Sequence, residues 1–253
     1  MILNIAAYHF TPIADPAALI ALLQPVAQQH ELRGTVLVAA EGINIFLAGT
    51  EAGIHAFLDQ LRADARFAAI AVKFSRSETT PFARLKFKHK PEIISFRRDG
   101  CDPLQGRAPT VEPATLARWI ASGQDDAGRR LVLLDTRNRE EVRLGSFSGA
   151  LTLPIDRFTD FPAAMAGQGE ALADAAVVSF CTGGIRCEKA ALWLRENGFP
   201  QALQLEGGIL GYFEQVGGLG YEGHCFVFDE RVALAPDLSP LAAAAAPAAA
   251  DCD

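Results

Sequence analysis

The segment Ala176–Cys187 reads AVVSFCTGGIRC and decides the fold of the second half of the chain. Its first five residues are mostly apolar, as in a buried parallel strand, and the two glycines that follow end that strand. A helix is predicted from about Cys187 to Asn197, with Gly198 at its C-terminal end. Strand, loop and helix in this order are typical of a parallel sheet, in which ligands bind at the carboxyl ends of strands.

The sequence on both sides of this segment repeats the alternation of strand and helix. A helix is predicted to begin at Pro113, and further short strands are predicted at Leu131–Leu134, Gly149–Ile155 and Ala202–Leu205. The continuous apolar character of Leu131–Leu134 favours a strand that is buried on both faces. We therefore predict a doubly wound α/β domain with helices on both faces of a parallel sheet.

The N-terminal half has a different pattern. Strands are predicted at Ile2–Phe10, Gly34–Ala39, Ile43–Leu47, Ile70–Phe74 and Phe82–Lys88. Asp15-Pro16 predicts the start of a first helix, whose apolar face would comprise Leu19, Leu22, Leu23 and Val26. A second helix is predicted to begin at Thr50. The order βαββαβ predicts a ferredoxin-like α+β domain, so the chain as a whole is predicted to be a two-domain α/β protein.

The length of 253 residues fits two domains. We predict a first domain at 1–98, a linker at 99–110, a second domain at 111–235 and a low-complexity, disordered tail at 236–253. No apolar run approaches the roughly 20 residues that span a membrane, so no membrane partner is expected.

Cysteine usage and the N-terminus predict a cytoplasmic protein. The five cysteines are an odd, thinly spread set, which is not typical of a disulfide framework. The N-terminus lacks the basic region of a secretory signal. Cys101, Cys225 and Cys252 are predicted to be chemically inert.

The charge is unevenly distributed. The chain carries −7 overall, yet the window Lys73–Arg98 carries +6. Phosphate contacts depend on local potential, so the net negative charge does not exclude RNA, and this window is a candidate RNA-binding segment with the residues Arg84, Lys86, Lys88 and Lys90. No DNA partner is predicted. The alternative is that these residues form only the solvent-exposed side of an amphipathic strand.

Cys181 is the candidate catalytic residue. Two glycines let successive N–H groups point at one atom, and the following helix directs its positive end to the same place. Arg186 adds a positive charge, and together these effects stabilise a thiolate. The candidate cradle for the sulfur or for a substrate anion comprises Thr182, Gly183, Gly184, Ile185 and Arg186.

Two further features near Cys181 each allow two interpretations. Cys187 is either a resolving thiol, which would form a disulfide with an oxidised Cys181, or simply a small residue in the first helical turn. Asp135 and Arg137, with Glu141, either support the pocket or form a structural salt-bridge network. The histidines are scattered and no C-x-x-C pair occurs, so no metal site is predicted.

The loop C-x-x-G-x-R resembles the active-site loop of rhodanese domains, whose cysteine carries a persulfide. Over nearly the full chain, the sequence is similar to the TrhO family of bacterial oxygen-dependent tRNA uridine hydroxylases. The similar segments are FTPIADP (Phe10–Pro16), EGIN (Glu41–Asn44), LDTRNREEVRLGSF (Leu134–Phe147), CTGGIRCEKA (Cys181–Ala190), LEGGI (Leu205–Ile209) and CFVFDERVAL (Cys225–Leu234). After EGIN the family usually continues with Gly-Thr, whereas this chain has Ile45-Phe46.

This resemblance implies conversion of the wobble uridine, position 34 of tRNA, to 5-hydroxyuridine. It implies tRNA as partner and molecular oxygen as co-substrate. No bound cofactor is evident in the sequence, which identifies neither an electron donor nor a protein partner. Two alternatives remain: a sulfurtransferase with a persulfide on Cys181, and a non-catalytic persulfide- or redox-sensing module. The extra domain with its basic strand favours the hydroxylase.

Overall fold

The computed structural model describes residues 1–241, so Cys252 and most of the predicted tail lie outside the described residues. The chain divides into two compact units, Met1–Ser95 and a second unit that begins at Phe96. The second unit therefore begins before the predicted domain end at residue 98. Within the described part of the chain, no helix has the length and apolar character needed to cross a membrane.

The first unit is a five-stranded sheet with two helices. Its elements are β1 (Ile2–Phe10), α1 (Pro16–Gln29), β2 (Arg33–Ala39), β3 (Gly42–Gly49), α2 (Glu51–Arg62), β4 (Val72–Ser77) and β5 (Leu85–His89). The strand order is β4-β1-β3-β2-β5, and all neighbours are antiparallel except β2 and β5. The predicted ferredoxin-like order is confirmed for the first four strands, and β5 extends the sheet as a parallel edge strand.

The helices of this unit begin where the sequence predicts. The Asp15 carboxylate accepts a hydrogen bond from the Ala18 N–H at 2.9 Å, and the Thr50 hydroxyl accepts one from the Gly53 N–H at 3.1 Å. The predicted inward face of α1 is wrong at Leu22, which is 47% exposed. The buried stripe is Pro16, Leu19, Leu23 and Ala27, because 100° per residue turns Leu22 away from a stripe centred on these positions.

The predicted alternation of the last strand is confirmed. Leu85 and Phe87 pack against the core, whereas Lys86 and Lys88 are register partners of Thr35 and Leu37 on the other face of the sheet. The strand begins at Leu85, three residues later than predicted.

The second unit is built on a five-stranded parallel sheet. Its elements are β6 (Thr110–Val111), α3 (Pro113–Ser122), β7 (Leu131–Asp135), α4 (Arg139–Val142), β8 (Gly145–Phe147), β9 (Leu151–Thr152), α5 (Phe161–Ala164), α6 (Gly169–Leu172), β10 (Ala176–Phe180), α7 (Ile185–Glu196), β11 (Leu203–Leu205), α8 (Gly208–Val216), β12 (Tyr221–Gly223), β13 (Cys225–Phe226) and β14 (Ala233–Leu234). The sheet order is β6-β11-β10-β7-β9, with every neighbouring pair parallel. The predicted doubly wound α/β domain is confirmed, and β10 is its central strand.

Three local predictions for this unit differ from the structure. The segment predicted as a strand from Gly149 to Ile155 is paired only at Leu151–Thr152. Helix α7 begins at Ile185, two residues before the predicted start, because Gly184 with φ +100° already occupies the N-cap. The segment 99–110 is not a detached linker, since Cys101 and Ala108 are buried in the second unit. Small apolar side chains at these two positions explain why the segment packs although it lacks periodicity.

Candidate active site

Cys181 lies directly after the central strand β10, at the carboxyl edge of the parallel sheet. The loop from Cys181 to Gly184 turns the chain into α7, and the Gly184 N–H donates a hydrogen bond to the Cys181 sulfur at 3.1 Å. This turn requires a positive φ at residue 184, and Gly184 adopts it without strain because glycine has no Cβ. Cys181 is only 1% exposed, but its sulfur faces backbone amides rather than hydrocarbon alone.

The surroundings of Cys181 favour its ionised form. Burial raises the pKa of the thiol, but this effect is outweighed by a hydrogen bond from Cys187, the positive charge of Arg186 and the backbone N–H groups of Arg186 and Gly184. The pKa of Cys181 is thereby lowered to about 6. At neutral pH the residue is therefore a thiolate, the form of cysteine that acts as a nucleophile.

The Arg186 side chain is held in place by a buried ion pair. Its guanidinium donates to the two carboxylate oxygens of Glu141 at 2.7 and 2.8 Å, and both side chains are buried. Glu141 in turn accepts a hydrogen bond from the Asn138 N–H at the start of α4. Arg186 therefore acts on Cys181 as a fixed member of a neutralised pair, and not as the isolated cation that the loop sequence alone suggests.

Cys187 is the side chain that contributes most to lowering the pKa of Cys181. It is fully buried in the first turn of α7, and its sulfur lies 3.7 Å from the Thr136 hydroxyl. Burial and the neighbouring Cys181 thiolate raise the pKa of Cys187 well above its usual range. Cys187 thus remains protonated beside the Cys181 thiolate. Its role as a resolving thiol stays a prediction.

Asp135 and Arg137 form a buried ion pair beside the loop. The Arg137 Nη2 donates to the Asp135 carboxylate at 2.7 Å and to the Gly145 carbonyl at 2.7 Å. Between them, Thr136 donates from its N–H and its hydroxyl to the Phe180 carbonyl, each at 3.0 Å. Because Phe180 precedes Cys181, this stretch braces the strand end that carries the thiol.

The glycine pair Gly207-Gly208 at the start of α8 is a part of the site to which the sequence pattern assigned no role. Gly208 has φ +62°, and a Cβ at this position would lie 2.5 Å from the Cys181 carbonyl oxygen and 2.6 Å from the Gly184 nitrogen. The next two amides, those of Ile209 and Leu210, donate to the carbonyls of Cys181 and Thr182 at 2.9 and 3.0 Å. The signal in the sequence was the pair Gly207-Gly208 between a strand and a helix.

The remaining candidate residues lie elsewhere in the fold or are not reactive. Arg84, Lys86, Lys88 and Lys90 all belong to the first unit, at β5 and its ends. Burial raises the pKa of Cys101 to about 11 and that of Cys225 to about 12, so neither is ionised at neutral pH. Among residues 1–241, no group of three or more His, Cys, Asp or Glu side chains is arranged to hold a metal ion.

A parallel sheet with a cysteine loop at its carboxyl edge, preceded by a ferredoxin-like unit, defines a two-domain protein of the rhodanese class. Two family models agree: the UPF0176 acylphosphatase-like domain matches residues 2–93, and the rhodanese-like domain matches residues 112–215. The chain belongs to the tRNA uridine(34) hydroxylase family.

This membership follows from relatives that match almost end to end. A protein of Xanthomonas euvesicatoria named tRNA uridine(34) hydroxylase is 65% identical over 95% of this chain and 97% of its own length. A protein of the same name from Xanthomonas oryzae is 63% identical over 98% of both chains. A third, from Xylella fastidiosa, is 60% identical over 95% of this chain and 94% of its own.

Proposed function

We propose that Cys181 is the nucleophile with which this chain, a tRNA uridine(34) hydroxylase, converts the wobble uridine to 5-hydroxyuridine. The observation that carries the proposal is the low pKa of Cys181 in a cradle of amides, next to the fixed Arg186–Glu141 pair. An added Cβ at Gly183 would meet no atom within 4 Å outside the adjacent residues. We infer that the substrate approaches the loop from this side.

The chemistry requires activation of C5 of uracil, which is a poor nucleophile in the free base. Addition of the Cys181 thiolate to C6 would turn C5 into an enolate carbon. Backbone N–H groups of the loop would stabilise the negative charge that develops in this step. Transfer of one oxygen atom to C5, followed by loss of the C5 proton and departure of the thiolate, would give 5-hydroxyuridine. With O₂ as co-substrate, the second oxygen atom leaves as water and takes two electrons from a reductant.

A second route also begins at Cys181. Here the sulfur itself would carry the transferred atom. A sulfenate, formed by two-electron oxidation of the thiolate by the oxygen co-substrate, would deliver oxygen and give the hydroxylated base, whereas a persulfide would deliver sulfur and give a thiolated product instead. Cys187 then becomes important, because its thiol is a close electrostatic neighbour of Cys181 and could form a disulfide with an oxidised Cys181. A persulfide on the same atom is also what a sulfurtransferase would use, and the amide cradle suits it equally.

The most direct test of the proposed function is mass spectrometry of tRNA nucleosides from cells that lack this protein. We expect 5-hydroxyuridine and its derivatives to be lost, and to return when the wild-type chain is supplied but not when Cys181→Ala is supplied. Unchanged levels of the modified nucleoside in the deletion strain would contradict the proposal.

Reversing the charge of Lys86 and Lys88 is expected to weaken tRNA binding. The double variant Lys86→Glu, Lys88→Glu should bind roughly tenfold less tightly at low salt, and the slope of affinity against salt should flatten. Filter binding at several salt concentrations measures both effects. Unchanged tRNA binding would favour the sulfurtransferase, whose donor requires no RNA contact.

A further inference from the structure

The first unit carries a row of side chains across the face of its sheet that does not pack on the helices. Register partners lie side by side on one face. Starting at β4 and crossing all five strands, the partners are Lys73, Ala6, Phe46, Thr35 and Lys86. We call this set the Phe46 row. Phe46 is the one aromatic side chain in the row, and a lysine stands at each end.

The same face is positively charged. Arg33 lies on one side of the Phe46 row and Lys88 on the other, which gives this face four cations in its strands together with Lys73 and Lys86. No Asp or Glu occupies a position on this face within β1–β5. Since the whole chain carries −7, this charge is a local feature of the sheet.

A second aromatic residue lies next to Phe46. Tyr8 is the register partner of Asn44, and Asn44 and Phe46 point to the same face of β3, so the two rings are diagonal neighbours on adjacent strands. Both rings are half-buried. Beyond Asn44 the face is covered, because the Asn44 amide donates to the Ile93 carbonyl at 3.3 Å. The adjacent positions of β1 and β3 on the other side of the Phe46 row are buried as well, so the accessible part of these strands on this face is the Phe46 row itself.

We propose that this face binds single-stranded nucleotides of the tRNA, with nucleobases stacking on Phe46 and Tyr8 and phosphates contacting Lys73 and Lys86. Aromatic rings on the central strands of a sheet, flanked by cations, match the alternation of flat bases and charged phosphates. The two lysines are four strand spacings apart, about 19 Å, so the row spans several nucleotides. This inference rests on the proposed function, which supplies the tRNA.

The test compares matched aromatic and basic variants of the full-length protein. Phe46→Ala and Phe46→Leu are expected to bind an unmodified tRNA transcript about tenfold and fivefold more weakly, whereas Phe46→Trp should bind like the wild type. Phe74→Ala is the control, because Phe74 is an exposed aromatic on β4 but shares its face with the core residue Ile5. It should leave binding unchanged.

The second part of the test compares two basic residues of strand β4. Lys73→Gln should weaken binding severalfold, whereas Arg76→Gln should not, because Arg76 is the partner of Leu3 on the helix side of the sheet. An anticodon stem-loop RNA should compete with the tRNA for this face, and a fully paired RNA of the same length should not. Fluorescence anisotropy measures all of these affinities.

The outcomes separate this inference from the proposed function. If wild type hydroxylates the tRNA while folded Phe46→Leu binds it within twofold of wild type, stacking on Phe46 is excluded and the hydroxylase function stands. If wild type binds the tRNA but leaves uridine 34 unmodified, the proposed function fails instead. Equal competition by the paired RNA would also overturn the inference, because paired bases cannot stack on the sheet.

Discussion

Cys181→Ala is expected to lower the rate of uridine hydroxylation at least about a thousandfold in a reconstituted assay, because both routes to the product need this sulfur. Binding of tRNA and the thermal midpoint should change little, since the small alanine side chain fits where the buried cysteine stood. The assay is single-turnover conversion of a tRNA transcript, followed by nucleoside mass spectrometry.

Cys101→Ala is the matched control for this prediction. Cys101 is also buried in the second unit, but burial raises its pKa to about 11, so its loss removes no thiolate. The control should retain full activity. Full hydroxylation by Cys181→Ala would exclude both the covalent and the carrier route.

Gly208→Ala is expected to have the second largest effect, through the backbone of the loop. The new methyl group would lie 2.5 Å from the Cys181 carbonyl oxygen and 2.6 Å from the Gly184 nitrogen. Neither is a side chain that can turn away, so the loop or the start of α8 must move. We expect the free energy of unfolding to fall by about 3 kcal/mol and the hydroxylation rate to fall at least about a hundredfold.

The matched control for Gly208→Ala is Gly123→Ala. Gly123 at the end of α3 has a similar φ of +71°, but a Cβ there would meet nothing within 4 Å. The control therefore isolates the cost of left-handed backbone, about 1 kcal/mol, from the cost of the clash. Urea unfolding and the hydroxylation assay measure both variants. Equal losses in the two variants would show that the contact with the Cys181 loop is unimportant.

The parts of the fold predicted well from sequence are those governed by local patterns. Strand β10 and the caps at Asp15 and Thr50 follow from apolar runs and side-chain hydrogen bonds within a few residues. The parallel pairing of β5 with β2 was not predicted, because strand order depends on contacts that are distant in sequence. Leu22 was predicted to be buried because it lies at helical spacing from Leu19 and Val26. The sequence of the helix does not show which of its apolar residues contact the sheet.

The chemistry of the site was partly readable from seven consecutive residues. The loop sequence indicates a thiolate at Cys181, since the glycines and the helix start are adjacent to it in the chain. The pairing of Arg186 with Glu141 and the approach of Gly208 to the loop depend on helices α4 and α8. Both helices are distant from the Cys181 loop in sequence, so the loop sequence alone could not predict these contacts. Likewise, Ile45 and Phe46 differ from the usual family residues, yet they lie within the regular strand β3.

The ionisation of Cys181 is the central claim, and the pH dependence of its alkylation tests it most directly. The rate of iodoacetamide modification of Cys181 should rise with pH and reach half of its maximum at a pH of about 6. In Cys187→Ala the midpoint should move upward, because a hydrogen bond to the thiolate is lost. A wild-type midpoint near 8.5, the value for an ordinary free cysteine, would contradict the account.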